Sequence, residues 1–331
     1  MATKVAPEIH GYAEQIVRNT IGTQVKVNGF EWTAGGLFNK VFKVNTTDGN
    51  FILKMECDKI FFATRRGQIE NEVLGNEIFQ KAGIPTANIL AYDFTKNGIG
   101  ARYVFTEHIH DEIEDSCLWG RLDNFDEVTK AEIVRQVGLI VEKEQTITNT
   151  HFGSLSQSGP LGWHETYDGY YHSTLNLLIK DSEDCGLFTD EELAIVKQAA
   201  EKPLVYSKKY VPTFAHGDFG YHNLMWGNMN SGEVKVHVID FGNAHYWLPY
   251  ETEVYGVRRE GVDIIDVEGL DRHLYENNLI GDFGIMFWTV TERLTEDYEY
   301  SWHADNIRAA KKETFRTHIT DFVDKCRAAL A

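Results

Sequence analysis

A carboxylate and a side-chain amide stand five positions apart in the segment His216-Gly217-Asp218-Phe219-Gly220-Tyr221-His222-Asn223. Its two glycines let the backbone turn tightly, so that Asp218 and Asn223 can aim into one cleft. Seventeen positions beyond Asn223 lies Asp240, at the end of the apolar run Val236-His237-Val238-Ile239 and ahead of Phe241-Gly242. The intervening Asn230-Ser231-Gly232-Glu233 predicts a hairpin turn that returns Asp240 to the side of Asn223. An amide oxygen and a carboxylate converging on one point are hard ligands suited to Mg2+, and a second carboxylate beside them can take a proton.

These are parts of the chemistry of phosphoryl transfer, which also needs a cation on the nucleotide phosphates and a backbone loop to cover them. The N-terminal region offers both. Thr33-Ala34-Gly35-Gly36-Leu37-Phe38-Asn39-Lys40-Val41-Phe42-Lys43-Val44 reads as strand, Gly-Gly turn and strand, with backbone N–H groups able to cover phosphates. Lys54 is the one cation in the apolar strand Phe51-Ile52-Leu53-Lys54-Met55.

With H-G-D-x4-N followed by a strand ending I-D-F-G, the chain resembles the aminoglycoside phosphotransferase family, over roughly residues 30 to 245. The resemblance implies a protein-kinase-like fold of the α+β class, bilobal, with a small β-rich N-lobe and a larger, mainly helical C-lobe. It implies Asp218 as catalytic base, Asn223 and Asp240 as Mg2+ ligands, and His216 as the residue that orients the loop. Gly35, Gly36, Asn39 and Lys54 would hold the nucleotide, ATP or GTP. Lys54 needs a carboxylate partner on the next helix. Glu70, Glu72 and Glu77 compete, and Glu72, eleven residues before Gly83-Ile84-Pro85, matches the family's helix register. Backbone groups of Glu107 to Ile109 would meet the nucleobase, where the chain passes between the lobes.

The elements that must position these residues can be read in outline. Trp32 to Val44 and Phe51 to Met55 predict strands joined by a turn at Thr47-Asp48-Gly49-Asn50. A helix is expected from about Gln68 to Ala82, the only one in the first hundred residues, stopped by Gly83-Ile84-Pro85. Ile89 to Phe94 and Arg102 to His108 predict strands around a turn at Lys96-Asn97-Gly98. Beyond an acidic loop (Asp111, Glu112, Glu114, Asp115), Phe125 to Thr146 has helical spacing of Val128, Ile133, Val137, Ile140 and Val141. The rest is expected to be mostly helical, apart from residues 213 to 240. The division falls near residue 110: residues 1–109 as nucleotide-binding lobe, 110–331 as catalytic and substrate-binding lobe.

Composition excludes several function classes. Hydrophobic residues form 43% and charged residues 25% of 331, ordinary for a folded chain too long for one simple core. The apolar stretch Gly284 to Val290 is far short of a membrane span, and Met1 to Glu14 lacks the pattern of a secretory signal. Cys57, Cys117, Cys185 and Cys326 form no C-x-x-C pair and fit reduced thiols of a cytoplasmic protein. A formal charge of −18 disfavours nucleic acid; it either favours a cationic acceptor or serves only solubility. The thirteen histidines show no zinc spacing. Asp282-Phe283-Gly284 repeats the letters of the metal loop without a strand before it and is expected inside a C-terminal helix; His222 is expected to pack.

The acceptor is the least legible part. Asp111, Glu112, Glu114, Asp115, Asp181, Glu183, Asp184 and Asp263 could bind a polycationic aminoglycoside. The H-G-D-F-G-x-x-N wording, His151-Phe152-Gly153-Ser154-Leu155, Gly159-Pro160 and Trp163 are similar to the hygromycin B phosphotransferase branch, which implies antibiotic resistance. A metabolic kinase for a choline-like, sugar or amino-alcohol hydroxyl is the alternative. A nucleotide-binding protein without catalysis is the reading from another class. The chain is expected to act as a monomer or dimer, with no nucleic acid or membrane partner.

Overall fold

Strand-forming residues dominate the chain between Val27 and Glu107, and the computed structural model folds them into one five-stranded sheet. It describes residues 7–33, 39–56, 67–110, 117–118, 120–159, 161–202, 210–229, 233–248 and 312–331. The strands are β1 (Val27–Trp32), β2 (Asn39–Thr46), β3 (Gly49–Glu56), β4 (Ile89–Asp93) and β5 (Tyr103–Glu107), in the antiparallel order β1-β2-β3-β5-β4. Within Trp32 to Val44, β1 ends at Trp32 and β2 begins at Asn39. β2 and β3 meet in the expected turn, with Thr46 paired to Gly49.

Alternation sets the faces. Phe42, Val44, Phe51, Leu53 and Phe105 are buried together under α1 (Pro7–Thr20), which contributes Ala13, Ile16 and Val17. This helix is absent from the sequence reading, although Ile9, Ala13, Ile16 and Val17 carry the i, i+4, i+7, i+8 spacing of an amphipathic helix. The helix α2 (Gln68–Lys81) follows β3 and ends as expected at Gly83, where the Ile84 N–H closes on the Phe79 carbonyl at 2.9 Å.

The later region is built on α3 (Glu127–Glu144), capped by the Asp126 carboxylate on the Thr129 N–H at 2.8 Å, with α4 (Tyr167–Cys185), α5 (Asp190–Ala200) and α6 (Lys312–Leu330). It is less purely helical than expected. Short strands β6 (Phe152–Ser154), β7 (Trp163–His164), β8 (Thr213–Ala215) and β11 (His245–Trp247) form a sheet ordered β7-β6-β11-β8. β9 (Leu224–Gly227) pairs antiparallel with β10 (Lys235–Val238). The segment similar to the hygromycin branch is thus the β6–β7 hairpin, where Trp163 stacks on His151 at 3.6 Å and its Nε1–H donates to the Ser154 carbonyl at 3.0 Å. With three residues in β6 and two in β7, these strands are too short for a period-two signal.

One contact between the two regions depends on a glycine. Phe241, fully buried, packs on α2 opposite Gly75, where a Cβ would lie 2.7 Å from the Phe241 Cβ. Gly75 is three residues from Glu72 and shares its helix face. Gly75→Ala adds helix propensity of about 1 kcal/mol, yet it forces α2 off Phe241 at a cost of about 1–3 kcal/mol. The expected result is a lower urea midpoint, and a midpoint at or above that of the parent would refute this packing.

Candidate functional site

β8 delivers the chain to His216, which is fully buried and bonded on three sides. Its backbone N–H donates to the Glu144 carboxylate at 2.9 Å, its Nδ1 lies 3.3 Å from the Asp218 N–H, and its Nε2 lies 3.0 Å from the Ile239 carbonyl. A carbonyl only accepts and an N–H only donates, so Nε2 carries the proton and Nδ1 accepts. Burial pushes the imidazole pKa down, against the pull of Asp218 and Asp240, which matches this neutral form. His216 therefore ties the start of the Asp218 loop to the residue before Asp240.

Gly217 supplies the turn between them. Its φ of +79° favours glycine, and a Cβ there would fall 2.2 Å from the Asn243 carbonyl oxygen. The loop then buries Phe219 and Tyr221 and closes as a single 3₁₀ turn over Tyr221–Asn223. Asn223 donates from Nδ2 to the Asp218 carbonyl at 2.8 Å, which leaves Oδ1 as the amide atom outside that bond. Asp218 itself keeps 37% of its side chain exposed.

The β9–β10 hairpin returns the chain as its turn residues require. The Ile239 N–H donates to the Asn223 carbonyl at 3.0 Å, so Asp240 stands next to the loop. Asp240 adopts φ +64°, a left-handed conformation that aspartate tolerates better than most residues. Its Oδ1 lies 2.6 Å from Lys54 Nζ, and the same ammonium lies 2.8 Å from Glu72 Oε2. Lys54 thus pairs with Glu72 of α2, whereas Glu77 faces Lys81 at 3.9 Å and Glu70 occupies the first turn.

Opposed effects set the electrostatics of this triad. Burial would lower the Lys54 pKa, but the two carboxylates outweigh it and hold the ammonium charged. Burial raises Glu72, assisted by the like charge of Asp240 and opposed by Lys54. Withdrawal from solvent also works to raise Asp240, yet Lys54 prevails and holds that carboxyl below its ordinary range. One ammonium between two carboxylates leaves an excess of negative charge, with one Asp240 oxygen outside the Lys54 bond.

Other predicted residues are placed differently. Gly35 and Gly36 lie outside the described residues, as do Asp111, Glu112, Glu114, Asp115, Asp263 and Asp282-Phe283-Gly284. Asn39 is buried and donates from Nδ2 to Gln68 Oε1 at 3.1 Å, and Gln68 Nε2 donates to Asn243 Oδ1 at 3.3 Å. Glu107 is committed to Asn88: its N–H to the Asn88 carbonyl at 3.0 Å and its carboxylate to Asn88 Nδ2 at 2.8 Å. Backbone recognition of a base at this edge would fall to the Glu107 carbonyl and to Ile109, itself buried. Among the acidic candidates, Asp181 is buried and Glu183 is ion-paired with Lys197 at 2.5 Å, so neither is an open carboxylate of a cleft.

Two residues escape the sequence reading, and a third is placed differently from expectation. Glu144 is fully buried under His216, and its signal is a carboxylate on the apolar stripe of α3, at i+4 from Ile140. Gln68 joins Asn39 to Asn243 with no preceding sequence cue. His222, expected to pack, instead brings Nε2 to 3.1 Å from Asp218 Oδ1. Among the described residues no group of three or more His, Cys, Asp or Glu gathers for a metal. The donors that remain, an Asp240 carboxylate oxygen and the Asn223 amide oxygen, fit Mg2+, which usually takes one or two protein oxygens and completes its shell with water and phosphates.

Known structures share this arrangement of elements. A protein from Haemophilus somnus 129PT assigned as a fructosamine-3-kinase aligns at TM-score 0.56 and 12% identity, over 94% of this chain and 96% of its own. One from Ralstonia eutropha JMP134 assigned as an aminoglycoside phosphotransferase aligns at 0.53 and 14%, over 95% and 98%. A thermostable variant of aminoglycoside phosphotransferase APH(4)-Ia, crystallised with ADP and hygromycin B, aligns at 0.52 and 13%, over 94% and 97%. Identities this low establish the fold, the protein-kinase-like one. No curated sequence matches the chain significantly. The family model of the phosphotransferase enzymes matches residues 33–251, more than half of the chain and the whole span from the end of β1 past Asp240, and the chain therefore belongs to the phosphotransferase enzyme family.

Proposed function

We propose that this small-molecule phosphotransferase is a Mg2+-dependent kinase that moves the γ-phosphoryl group of ATP or GTP to a hydroxyl of a cationic, aminoglycoside-like acceptor. The observation that carries the reading is the convergence of Lys54, Glu72 and Asp240 at 2.6–2.8 Å beside the Asn223 and Asp218 loop. Residues 1–109 would form the nucleotide-binding lobe and 110–331 the lobe for catalysis and acceptor.

In this reading Glu72 fixes Lys54 so that its ammonium can pair with the α/β-phosphates. Asp240 and Asn223 would hold Mg2+, which would supply positive charge to offset that of the phosphates. Asp218 accepts the proton of the acceptor hydroxyl as that oxygen bonds to the γ-phosphorus. The bond from the γ-phosphorus to the bridging β-oxygen breaks, and the nucleoside diphosphate leaves with the electron pair. Glu144 and His216 keep the loop in register, because each of their bonds joins it to a rigid element.

The net charge of −18 supports a cationic acceptor, as does the hygromycin B held by the structurally similar APH(4)-Ia. A metabolic sugar or amino-alcohol kinase is the second reading, favoured by the buried Asp181, the paired Glu183 and the likeness to the Haemophilus protein.

Asp218→Ala should lower transfer by about 10²–10⁴-fold, while nucleotide affinity stays near that of the parent, since the base acts on the acceptor. Full turnover in that variant would remove Asp218 from the mechanism. Asp240→Ala should abolish the Mg2+ dependence of nucleotide binding, read by titration calorimetry with and without the metal. Lys54 keeps Glu72 in this variant, so an unchanged dependence would exclude Asp240 as a ligand instead of reporting misfolding. ADP release measured over aminoglycosides, choline-like alcohols and sugars, with ATP and with GTP, decides the acceptor class. Tight nucleotide binding without turnover of any of them would establish the non-catalytic reading.

A further inference from the structure

His222 takes no part in the roles assigned above, yet it is the only group among the described residues that hydrogen-bonds the Asp218 carboxylate, through Oδ1 at 3.1 Å. An ionised carboxylate only accepts, so the His222 Nε2 carries the proton and donates. The Asp218 backbone is fixed by His216 at its N–H and by Asn223 at its carbonyl, but neither bond restrains the rotation of the carboxylate. That last torsion is broad for aspartate, and one oxygen must be anchored if the other is to meet an acceptor hydroxyl in a single orientation.

We infer that His222 is a positioning residue, which holds Oδ1 of Asp218 so that Oδ2 is presented to the acceptor. The turn that carries His222 is built for this. Phe219 and Tyr221 on either side of Gly220 are buried, and the Asn223 N–H closes on the Gly220 carbonyl at 2.8 Å, which returns the residue at i+4 to Asp218. The pair lies at the open edge of the loop, with side chains 32% and 37% exposed. A hydrogen bond there contributes little to stability, so its effect falls on orientation.

The inference rests on Asp218 as the base, and the test separates the two. The probe is MgATP with water as acceptor, read as ADP release, together with calorimetric binding of MgATP. His222→Phe keeps the volume and removes the donor; kcat should fall about 10–100-fold with KM for ATP unchanged. His222→Gln should recover to within about threefold, because a primary amide donates from a similar reach. In an Asp218→Asn background, His222→Phe should cause no further loss, as expected for residues acting as one unit. An unchanged kcat in His222→Phe, or the same fractional loss in both backgrounds, would overturn the inference. A fully active Asp218→Asn would instead overturn the assignment of the base. Independently of turnover, the His222 Nε2–H resonance should be protected from solvent exchange in the parent and lose that protection in Asp218→Ala. Equal protection in the two proteins would also overturn it.

Discussion

The ammonium of Lys54 is shared between Glu72 and Asp240, and the rest of the site is arranged around that sharing. The three residues come from β3, α2 and the end of the β9–β10 hairpin, and Lys54 and Asp240 are 186 positions apart in sequence. A charge withdrawn from water costs several kcal/mol unless it is paired, and removing one member of such a pair costs about 3–5 kcal/mol. That penalty makes the relative placement of sheet, helix and hairpin close to all-or-none. Hydrophobic contact alone would tolerate sliding of an ångström, which a phosphoryl-transfer site does not.

Backbone proximity is the second requirement, and it explains where small residues fall. Gly75 lets Phe241 seat against the helix that carries Glu72, and Gly217 lets the Asp218 loop lie against the Asn243 carbonyl. Polar links then finish the join: Asn39 through Gln68 to Asn243, and Asn71 Nδ2 to the Gly242 carbonyl at 3.3 Å. The segment after Asp240 is therefore held by α2 on one side and by the Asp218 loop on the other. Bonds that cross between elements, like that of His216 to Ile239, convert this proximity into a fixed orientation.

What could be read from sequence was what depends on local spacing. Asp218, Asn223 and Asp240 announce themselves because a short loop and a hairpin with turn residues place them together whatever surrounds them. The pairing of Lys54 with Glu72 was legible only through the family resemblance, whose helix register, counted back from the stop at Gly83, singles out Glu72 from Glu70 and Glu77. Less legible were features whose meaning is tertiary. Glu144 looks like an ordinary helix carboxylate until the His216 N–H is known to lie over it. Gln68 has meaning only when Asn39 and Asn243 flank it, and His222 only when its turn folds back. Strands of two or three residues, such as β6 to β8, carry no period to detect. By contrast α1 carries a clear apolar stripe of Ile9, Ala13, Ile16 and Val17, a signal present in the sequence itself.

Charge ties these observations to function. In the proposed reading a chain of net −18 binds a polyanionic nucleotide against its own field. Lys54 alone does not reverse that field locally, because Glu72 and Asp240 exceed it by one charge. In the same reading a cation accompanying the phosphates would meet that deficit, with the Asp240 oxygen outside the Lys54 bond and the Asn223 amide oxygen as its hard ligands. Were Lys54 paired with Glu72 alone, the ammonium would be neutralised and Asp240 would keep only the Gly242 backbone N–H to orient it. Were it paired with Asp240 alone, it would be free to follow that side chain out of the cleft. Sharing between the two holds Lys54 and Asp240 at a set separation, which the proposed roles of phosphate cation and metal ligand on one triphosphate would demand.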